Sequence, residues 1–248
     1  MVRDNAGSTG RVNAILTMKW RQSVISPIGL LMTDFQDPDR ALAIAYAQAA
    51  CVPPFTAVWH LDEAIGQSVA QTSEPALAQI RLAWWREAIE QGRWHEHPAL
   101  QAISAVVPQS LLPLLPALAD AWEPLLAPFP LASEALLDYA RDRGGALADV
   151  MTKLAGAPTD AARRLGEGWA LADFARRCSD RETATRALAL AHDRLDRSAI
   201  AALPRGLLPL ALLVHLARLD ARGGLPLRHP VGGRARALRV LLFAIAKR

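Results

Sequence analysis

The chain has 248 residues, of which 52% are hydrophobic, and most of its net charge of +4 comes from residues 1–31. Because residues 32–248 carry 24 basic and 23 acidic side chains, the sequence lacks the strongly basic surface typical of nucleic-acid-binding proteins. Its two cysteines, Cys51 and Cys178, give neither a disulfide framework nor a metal-ligand spacing, so we expect a reducing, cytoplasmic compartment.

Helical signals follow one another along the chain, whereas valine and isoleucine form no alternating run typical of strands. We therefore predict an all-α fold, a single-domain helical bundle over residues 32–248. Residues 1–31 are interpreted as a disordered extension or as the product of a mis-assigned start, since Met32 leads directly into the first helix. Capping residues with Pro and Gly stops predict helices at about 38–50, 55–71, 75–91, 133–155, 160–178, 182–195, 205–222 and 231–248, with short helices across the proline-rich segment 98–130.

Four of the longer predicted helices each carry a charged residue among their apolar positions, where a helix facing a core carries none. These residues are Asp62, Arg81, Arg143 and Arg176. Further polar residues lie at the edges of the same stripes, namely Glu63, Tyr139 and Asp173. Recurrence over successive helices predicts a polar centre inside the bundle, built from side chains on facing helices.

Two interpretations of this centre stay open from the pattern alone. In the first, Asp62 and Asp173 pair with the arginines in a buried structural network. In the second, the inward arginines form a pocket for an anionic ligand, because a buried guanidinium cannot lose its proton and needs an anion. The mid-helix pair Gly144 and Gly145 fits both, since it permits close approach of a neighbouring helix or of a ligand.

Three segments at these residues resemble helices of the squalene/phytoene synthase family, the head-to-head prenyl transferases of the all-α isoprenoid synthase fold. Leu77–Glu90 resembles the family's R-L-x-W-W-R-E-x-L helix. Asp138–Ala146 resembles its Y-C-Y-x-V-A-G-x-V-G helix, and Leu165–Arg177 resembles L-G-x-A-x-Q-L-T-N-I-L-R-D. The order and spacing of these segments agree with the family over roughly residues 37–180.

The resemblance implies two facing acidic motifs that hold Mg²⁺, which in turn grips the diphosphate of a prenyl substrate. Mg²⁺ takes hard oxygen ligands. In an active enzyme the catalytic acids would be Asp62, Glu63, Asp173 and Asp180, and the metal ligands would be Asp62, Glu63 and Asp173. The ligand-binding candidates are Arg81, Tyr139, Arg143, Arg176 and Arg177.

The acidic motifs are degraded in this sequence. The last acid of the D-D-x-x-D motif is replaced by Gly66, and two acidic positions of the second motif are occupied by Arg177 and Arg181. The G-R-x-Y-L-P segment that normally follows is missing. These changes predict a protein without a required cofactor that has lost the ability to ionise a prenyl diphosphate.

A similar erosion occurs in a subgroup of the family, and the chain resembles the mitochondrial complex I assembly factor of squalene/phytoene synthase type. The resemblance implies a non-catalytic binding or assembly protein, with a prenyl diphosphate or lipid as ligand or a protein as partner. The alternative is an active, Mg²⁺-dependent head-to-head prenyl transferase of isoprenoid biosynthesis.

The basic C-terminal helix has Leu238, Leu241, Leu242 and Ile245 on one face, with Arg236 and other cations away from it. This face is interpreted either as packing on the core or as contacting an anionic membrane surface. The second interpretation would place the protein peripherally at the inner membrane.

Overall fold

The computed structural model describes residues 35–157 and 159–247. Within those ranges every regular element is a helix and no strand occurs, which confirms the all-α prediction. The predicted extension at residues 1–31 and the proposed start at Met32 lie outside the described residues. No helix in the described part of the chain has both the length and the apolar character needed to cross a bilayer.

Twelve α-helices are described within residues 35–157 and 159–247, together with one π turn and several short 3₁₀ segments. The α-helices are α1 (Pro38–Ile44), α2 (Val52–Ala70), α3 (Pro75–Glu90), α4 (Pro98–Val106), α5 (Ala117–Asp120), α6 (Ser133–Tyr139), α7 (Ala146–Leu154), α8 (Asp160–Ala175), α9 (Arg181–His192), α10 (Arg197–Ala202), α11 (Leu208–Gly223) and α12 (Arg234–Ala246). The π turn spans Ala140–Gly145 and joins α6 to α7.

The helix boundaries follow local signals that the sequence displays. The Asp37 side chain accepts a hydrogen bond from the Asp39 backbone N–H, and Pro38 occupies the first turn of α1. Pro75 likewise occupies the first turn of α3, although the Glu74 side chain makes no capping hydrogen bond there. α1 ends at Ile44, earlier than predicted, and Ser133 begins α6 without capping it.

α8 packs against the π turn, α7, α9 and α11. α2 packs against α1, α3 and α4, and α11 also contacts α1 and α12. One hydrophobic core joins these elements, with Phe55, Leu61 and Phe174 among its fully buried side chains. Polar side chains from α1, α2, α8 and the π turn therefore meet in the interior, where they need partners.

Candidate functional site

The first acidic position is Asp62 on α2, a carboxylate with no solvent exposure. Arg143 grips it with two hydrogen bonds, from Nε to Oδ1 at 2.7 Å and from Nη2 to Oδ2 at 2.8 Å. Arg40 of α1 donates from Nη2 to Oδ2, also at 2.8 Å. Both oxygens of Asp62 are thus engaged by guanidinium groups, in the paired geometry that makes such contacts strong.

The second acidic position is Asp173 on α8, which is also buried. Its Oδ2 lies 3.0 Å from Nη2 of Arg143, so one guanidinium joins the two acidic positions. Its Oδ1 accepts hydrogen bonds from Arg176 and from Nη2 of Arg177, the latter at 3.0 Å. Arg177 occupies a position where the resemblance implies an acid, and its guanidinium pairs with Asp173, four residues earlier.

Aromatic rings enclose the Arg143 guanidinium on its other sides. Its Cζ lies 4.6 Å from the ring centre of Trp122 and 5.0 Å from that of Trp169, which are cation–π distances. Nη1 donates to the Tyr139 hydroxyl. Burial raises the pKa of Tyr139 well above its usual range, so this hydroxyl stays protonated and can accept from Arg143.

Trp122 also fills the space beside Gly66, a position where the resemblance implies an acid. A Cβ added to Gly66 would lie 2.6 Å from Cη2 of the indole, closer than real contacts allow. Trp122 is itself buried, so the ring has little room to move. A packed aromatic ring therefore occupies the space that a side chain at position 66 would need.

The ion pairs continue from Asp173 to the start of α1 and on to α12. Arg176 contacts both Asp37 and Asp39, and Arg177 donates to Asp37 at 3.0 Å. Arg236 of α12 binds Asp39 and also Asp220 of α11, the latter at 2.7 Å from Nη1. We call the whole set the interior network. Its carboxyl groups are those of Asp37, Asp39, Asp62, Glu63, Asp173 and Asp220, and its guanidinium groups are those of Arg40, Arg143, Arg176, Arg177 and Arg236.

Charge pairing decides the protonation of the network. Burial alone would raise the pKa of Asp62, but Arg143 and Arg40 lower it below the usual value. For Asp173, Arg177, Arg176 and Arg143 overcome burial in the same way and hold the pKa far down. Both acids are therefore ionised and fully compensated, which makes them poor ligands for a further cation.

Glu63 is the exception within the network. Its Oε2 accepts from the Gln36 backbone N–H at 3.3 Å, whereas its Oε1 lies 3.6 Å from Nε of Arg40 and makes no hydrogen bond to the described residues. Burial raises the pKa of Glu63 to about 7, against the opposing effect of Arg40. Glu63 is thus the weakest-held acid of the six.

The structure gathers most of the predicted site residues in one place. Asp62, Glu63, Tyr139, Arg143, Asp173, Arg176 and Arg177 all belong to the interior network or contact it. Gly144 also has the predicted role of a close approach, because its added Cβ would lie 2.2 Å from the carbonyl oxygen of Gly166 on α8. The neighbour is therefore a helix.

Two predicted residues lie elsewhere. Arg81 donates from Nη1 to the Ser68 carbonyl at 2.7 Å, at the end of α2, and is half-buried. The prediction that it joins the polar centre is wrong, because α3 buries Ala78, Leu82, Trp85 and Ile89 and turns Ile80 outward. Asp180 caps α9 by accepting from the Thr183 backbone N–H.

Several network members were not predicted from the sequence. Arg40 shares the buried face of α1 with Ala43 and Ile44, three and four residues on, and this helical spacing is the signal in the sequence that marks it. Arg236 shares a face with Val240 and Ala244. Asp37 caps α1, and its carboxylate also binds Arg176 and Arg177.

The residues present do not fit a Mg²⁺ ion at this centre. Mg²⁺ needs carboxylate oxygens that are free to approach it at about 2 Å, in near-octahedral geometry. The oxygens of Asp62 and Asp173 are directed at guanidinium groups instead. Within residues 35–157 and 159–247 no group of three or more His, Cys, Asp or Glu side chains is placed to hold a metal ion.

The cavity beside Asp173 is also too small for a diphosphate. A cavity lined by Asp39, Trp169, Asp173 and Arg176 has a volume of about 10 Å³. That is roughly the room that one water molecule takes. A diphosphate with its metal ions could enter this position only if the ion pairs separated.

Comparison with known proteins bears on the fold and the family. The family model described as squalene/phytoene synthase matches residues 33–217, which is well over half of the chain. Comparisons with curated proteins and with solved structures gave no match. The matched range contains both acidic positions, the π turn and α8, and its all-α architecture is consistent with the isoprenoid synthase type of bundle expected above. The chain belongs to the squalene/phytoene synthase family.

Proposed function

We propose that this chain is a non-catalytic member of its family, one that keeps the helical bundle as a binding or assembly protein. The observation that carries the proposal is the bidentate grip of Arg143 on Asp62, with the same guanidinium also on Asp173. A positive charge lies between the two carboxylates that the family uses to hold Mg²⁺. A second cation there would meet it at a few ångströms, at a cost of several kcal/mol even at a moderate effective dielectric.

The filling of Gly66 supports the same proposal independently. Restoring metal binding would require a third carboxylate where the Trp122 ring now lies. The changes in the two acidic motifs are thus accompanied by matching changes around them. The arginines pair with the remaining acids, and the Trp122 ring fills the space beside Gly66. Such complementary changes favour an interior that serves stability over an active site that has lost a single residue.

The test is turnover of prenyl diphosphates by the purified protein. With farnesyl or geranylgeranyl diphosphate and Mg²⁺, we expect no release of diphosphate, while an active family enzyme under the same conditions provides the positive control. Titration calorimetry with Mg²⁺ and a non-hydrolysable prenyl thiodiphosphate should show no Mg²⁺-dependent binding. Turnover together with tight, Mg²⁺-dependent binding would overturn the proposal and favour the prenyl transferase.

Within this proposal, the assembly of respiratory complex I is the specific role that we infer from the degenerate subgroup. It rests on the resemblance alone, because a fold does not determine a function. Affinity purification of the tagged protein from its own organism should recover complex I subunits or assembly intermediates. If only unrelated proteins co-purify, this specific role is wrong, and the non-catalytic proposal is still tested separately by the turnover assay.

A further inference from the structure

α12 carries its apolar face outward. The residues that it buries are Arg236, Val240 and Ala244. Its larger apolar side chains point to solvent with exposed fractions of 43–57%, namely Leu238, Leu241, Leu242 and Ile245. The spacing of these four residues places them on one side of the helix, so they form a continuous stripe. We call this the leucine stripe.

Contacts on the opposite side hold α12 in this orientation. Arg236 pairs with Asp39 and Asp220, Phe243 stacks on His215 at 4.4 Å, and Lys247 donates to the carbonyl oxygens of Ile200 and Ala201. The interpretation that the leucine stripe packs on the core is therefore wrong. The Arg236 ion pairs determine which face of α12 is buried. If α12 were rotated to bury its leucines, these buried ion pairs would be broken, which is strongly destabilising.

A cation-lined cavity adjoins the same helix. It has a volume of about 240 Å³ and lies between the end of α11, the following loop and α12. The charged and titratable side chains that line it are Asp220, Arg222, Arg228, His229, Arg236 and Arg239. Its one carboxylate is already bound to Arg236, and Arg239 donates to Nε2 of His229 at 2.7 Å.

The charged residues of α12 itself are all cationic. α12 contains no acidic residue, and the exposed Arg234 lies one turn before Leu238 on the same side of the helix. Arg222 and Arg228 at the cavity are exposed as well. An apolar stripe next to cations, on a helix without acids, is the pattern of a helix that lies in a membrane interface.

We propose that α12 and the adjoining cavity bind an anionic phospholipid surface. The leucine stripe enters the boundary between headgroups and acyl chains, and the cavity takes a lipid phosphate. The phosphate follows from the chemistry of the cavity, because the planar guanidinium groups of Arg222, Arg228 and Arg239 match phosphate oxygens. An anionic leaflet attracts such a cluster of cations over about one Debye length.

A second copy of the chain is a poorer occupant of this surface. In a two-fold dimer the same patch of both copies would meet, so the cations of Arg234 and of the cavity would be gathered from both copies at one interface. Like charges that meet across an interface disfavour association. An anionic lipid surface satisfies both the apolar stripe and the cations.

The test is flotation of the full chain with vesicles. We expect binding to vesicles made of equal parts phosphatidylcholine and phosphatidylglycerol, little binding to phosphatidylcholine alone, and weaker binding as salt rises. Inorganic phosphate at moderate concentration should compete only partly, because it cannot replace the leucine contacts. Complete displacement by phosphate, or equal binding to neutral vesicles, would contradict the proposal.

Variants separate the two parts of the surface. Leu238→Glu with Leu242→Glu should lower vesicle affinity by about tenfold or more, because two charges enter the apolar stripe. Arg222→Ala and Arg228→Ala should each lower affinity for anionic vesicles by about fivefold and reduce the salt dependence. These side chains are exposed, so the melting temperature should change little and a folding defect can be recognised.

Ile80→Glu on α3 is the matched control, since Ile80 is 66% exposed and lies on another helix. Its vesicle binding should equal that of the unchanged protein. If Ile80→Glu weakens binding as much as the stripe variants do, the effect is not specific to α12. Light scattering of the unchanged protein and of Leu242→Glu tests the alternative that the stripe joins two copies. If the unchanged protein is a dimer, the variant is a monomer and neither binds vesicles, the surface is an interface between copies and the proposal fails.

Discussion

Arg143 joins several parts of the interior. It contacts Asp62, Asp173 and the Tyr139 hydroxyl and lies against two indole rings. A guanidinium is suited to this position because it presents several donors in one plane and keeps its charge when buried. An ammonium group at the end of a flexible chain presents a point charge and cannot make the same paired contacts.

Arg143→Ala is expected to lower the free energy of unfolding by roughly 3–5 kcal/mol, because Asp62 loses its bidentate partner in a dry interior. Arg143→Lys should also destabilise, though by less, since one charge is kept but the fork is lost. Urea denaturation followed by circular dichroism measures both. Arg141→Ala is the matched control two residues away, since that exposed side chain pairs with Asp138 and Asp142 at the surface, and a similar loss there would contradict the argument.

Gly66 gives a second prediction at this scale. Gly66→Ala should destabilise by about 1 kcal/mol or more, because overpacking against the buried Trp122 outweighs the gain in helix propensity. In a Trp122→Leu background, the same substitution should become neutral or stabilising. A double-mutant cycle of unfolding free energies tests this coupling, and additive effects would show that the ring does not fill the position.

The charged residues show what the sequence could and could not predict. Asp62, Arg143 and Arg176 were found because each interrupts a long apolar stripe on its own helix. The same argument gave a wrong prediction for Arg81. α3 buries a narrower stripe than the one formed by all its apolar residues, and Ile80 is left in solvent. Pairings between distant elements depend on packing that no local pattern encodes. Arg143 and Asp62, for example, are separated by 81 residues in the sequence.

At the scale of elements, the π turn between α6 and α7 positions the centre of the network. The sequence predicted one continuous helix over residues 133–155, and periodicity cannot detect the wider turn at Ala140–Gly145. Such turns are rare and often occur at functional positions. Here the turn places Arg143 inward and brings Gly144 against α8.

The contact between this turn and α8 depends on two glycines. A Cβ on Gly144 would lie 2.2 Å from the Gly166 carbonyl oxygen, and one on Gly166 would lie 2.3 Å from that of Gly144. Neither backbone atom can move without separating the helices. Close approach of the two backbones is what lets Asp173 on α8 reach the guanidinium of Arg143.

Gly144→Ala or Gly166→Ala should therefore destabilise by about 3 kcal/mol, at the upper end of the cost of overpacking. Gly223→Ala at the end of α11 is the control, because nothing lies within 4 Å of its added Cβ. It should be neutral or slightly stabilising through the unfolded state. Thermal unfolding of the three variants decides the point, and equal melting temperatures would show that the crossing tolerates side chains.

α12 shows why an amphipathic pattern does not by itself indicate which face is buried. Its leucines allowed either a core face or a face toward a membrane, and the helix buries Arg236 and leaves the leucines in solvent. The deciding interactions are long-range ion pairs to Asp39 and Asp220. The periodicity of the apolar residues does not reveal that an arginine with buried carboxylate partners can determine which face of the helix is buried.

For the molecule as a whole, the interior network holds one more carboxyl group than guanidinium groups. A proton on Glu63 therefore makes the network neutral, in agreement with the pKa of about 7 for that residue. The groups facing Glu63 are Arg40, His60, Asp37 and Arg177, and the Nδ1 atom of His60 lies 4.0 Å from its Oε2. Stability should consequently depend on pH through this one acid.

The direction of the pH dependence follows from the two pKa values of Glu63. Between its unfolded value of 4.5 and its folded value of about 7, the folded protein binds the proton more tightly than the unfolded chain does. Ionisation of Glu63 therefore lowers the free energy of unfolding as pH rises through that range, by up to roughly 3 kcal/mol. Below about pH 4 stability should fall as well, because the pKa values of Asp62 and Asp173 are lowered and their ion pairs are lost on protonation.

Glu63→Gln isolates this effect, because glutamine keeps the shape of the side chain and cannot ionise. Urea midpoints measured at pH 5 and pH 8 should differ clearly for the unchanged protein and much less for the variant, which should be the more stable of the two at pH 8. The comparison also removes the contribution of other groups that titrate in this range, because both proteins carry them. Parallel pH profiles for the two proteins would mean that Glu63 is ionised throughout, and that the interior network tolerates its extra negative charge.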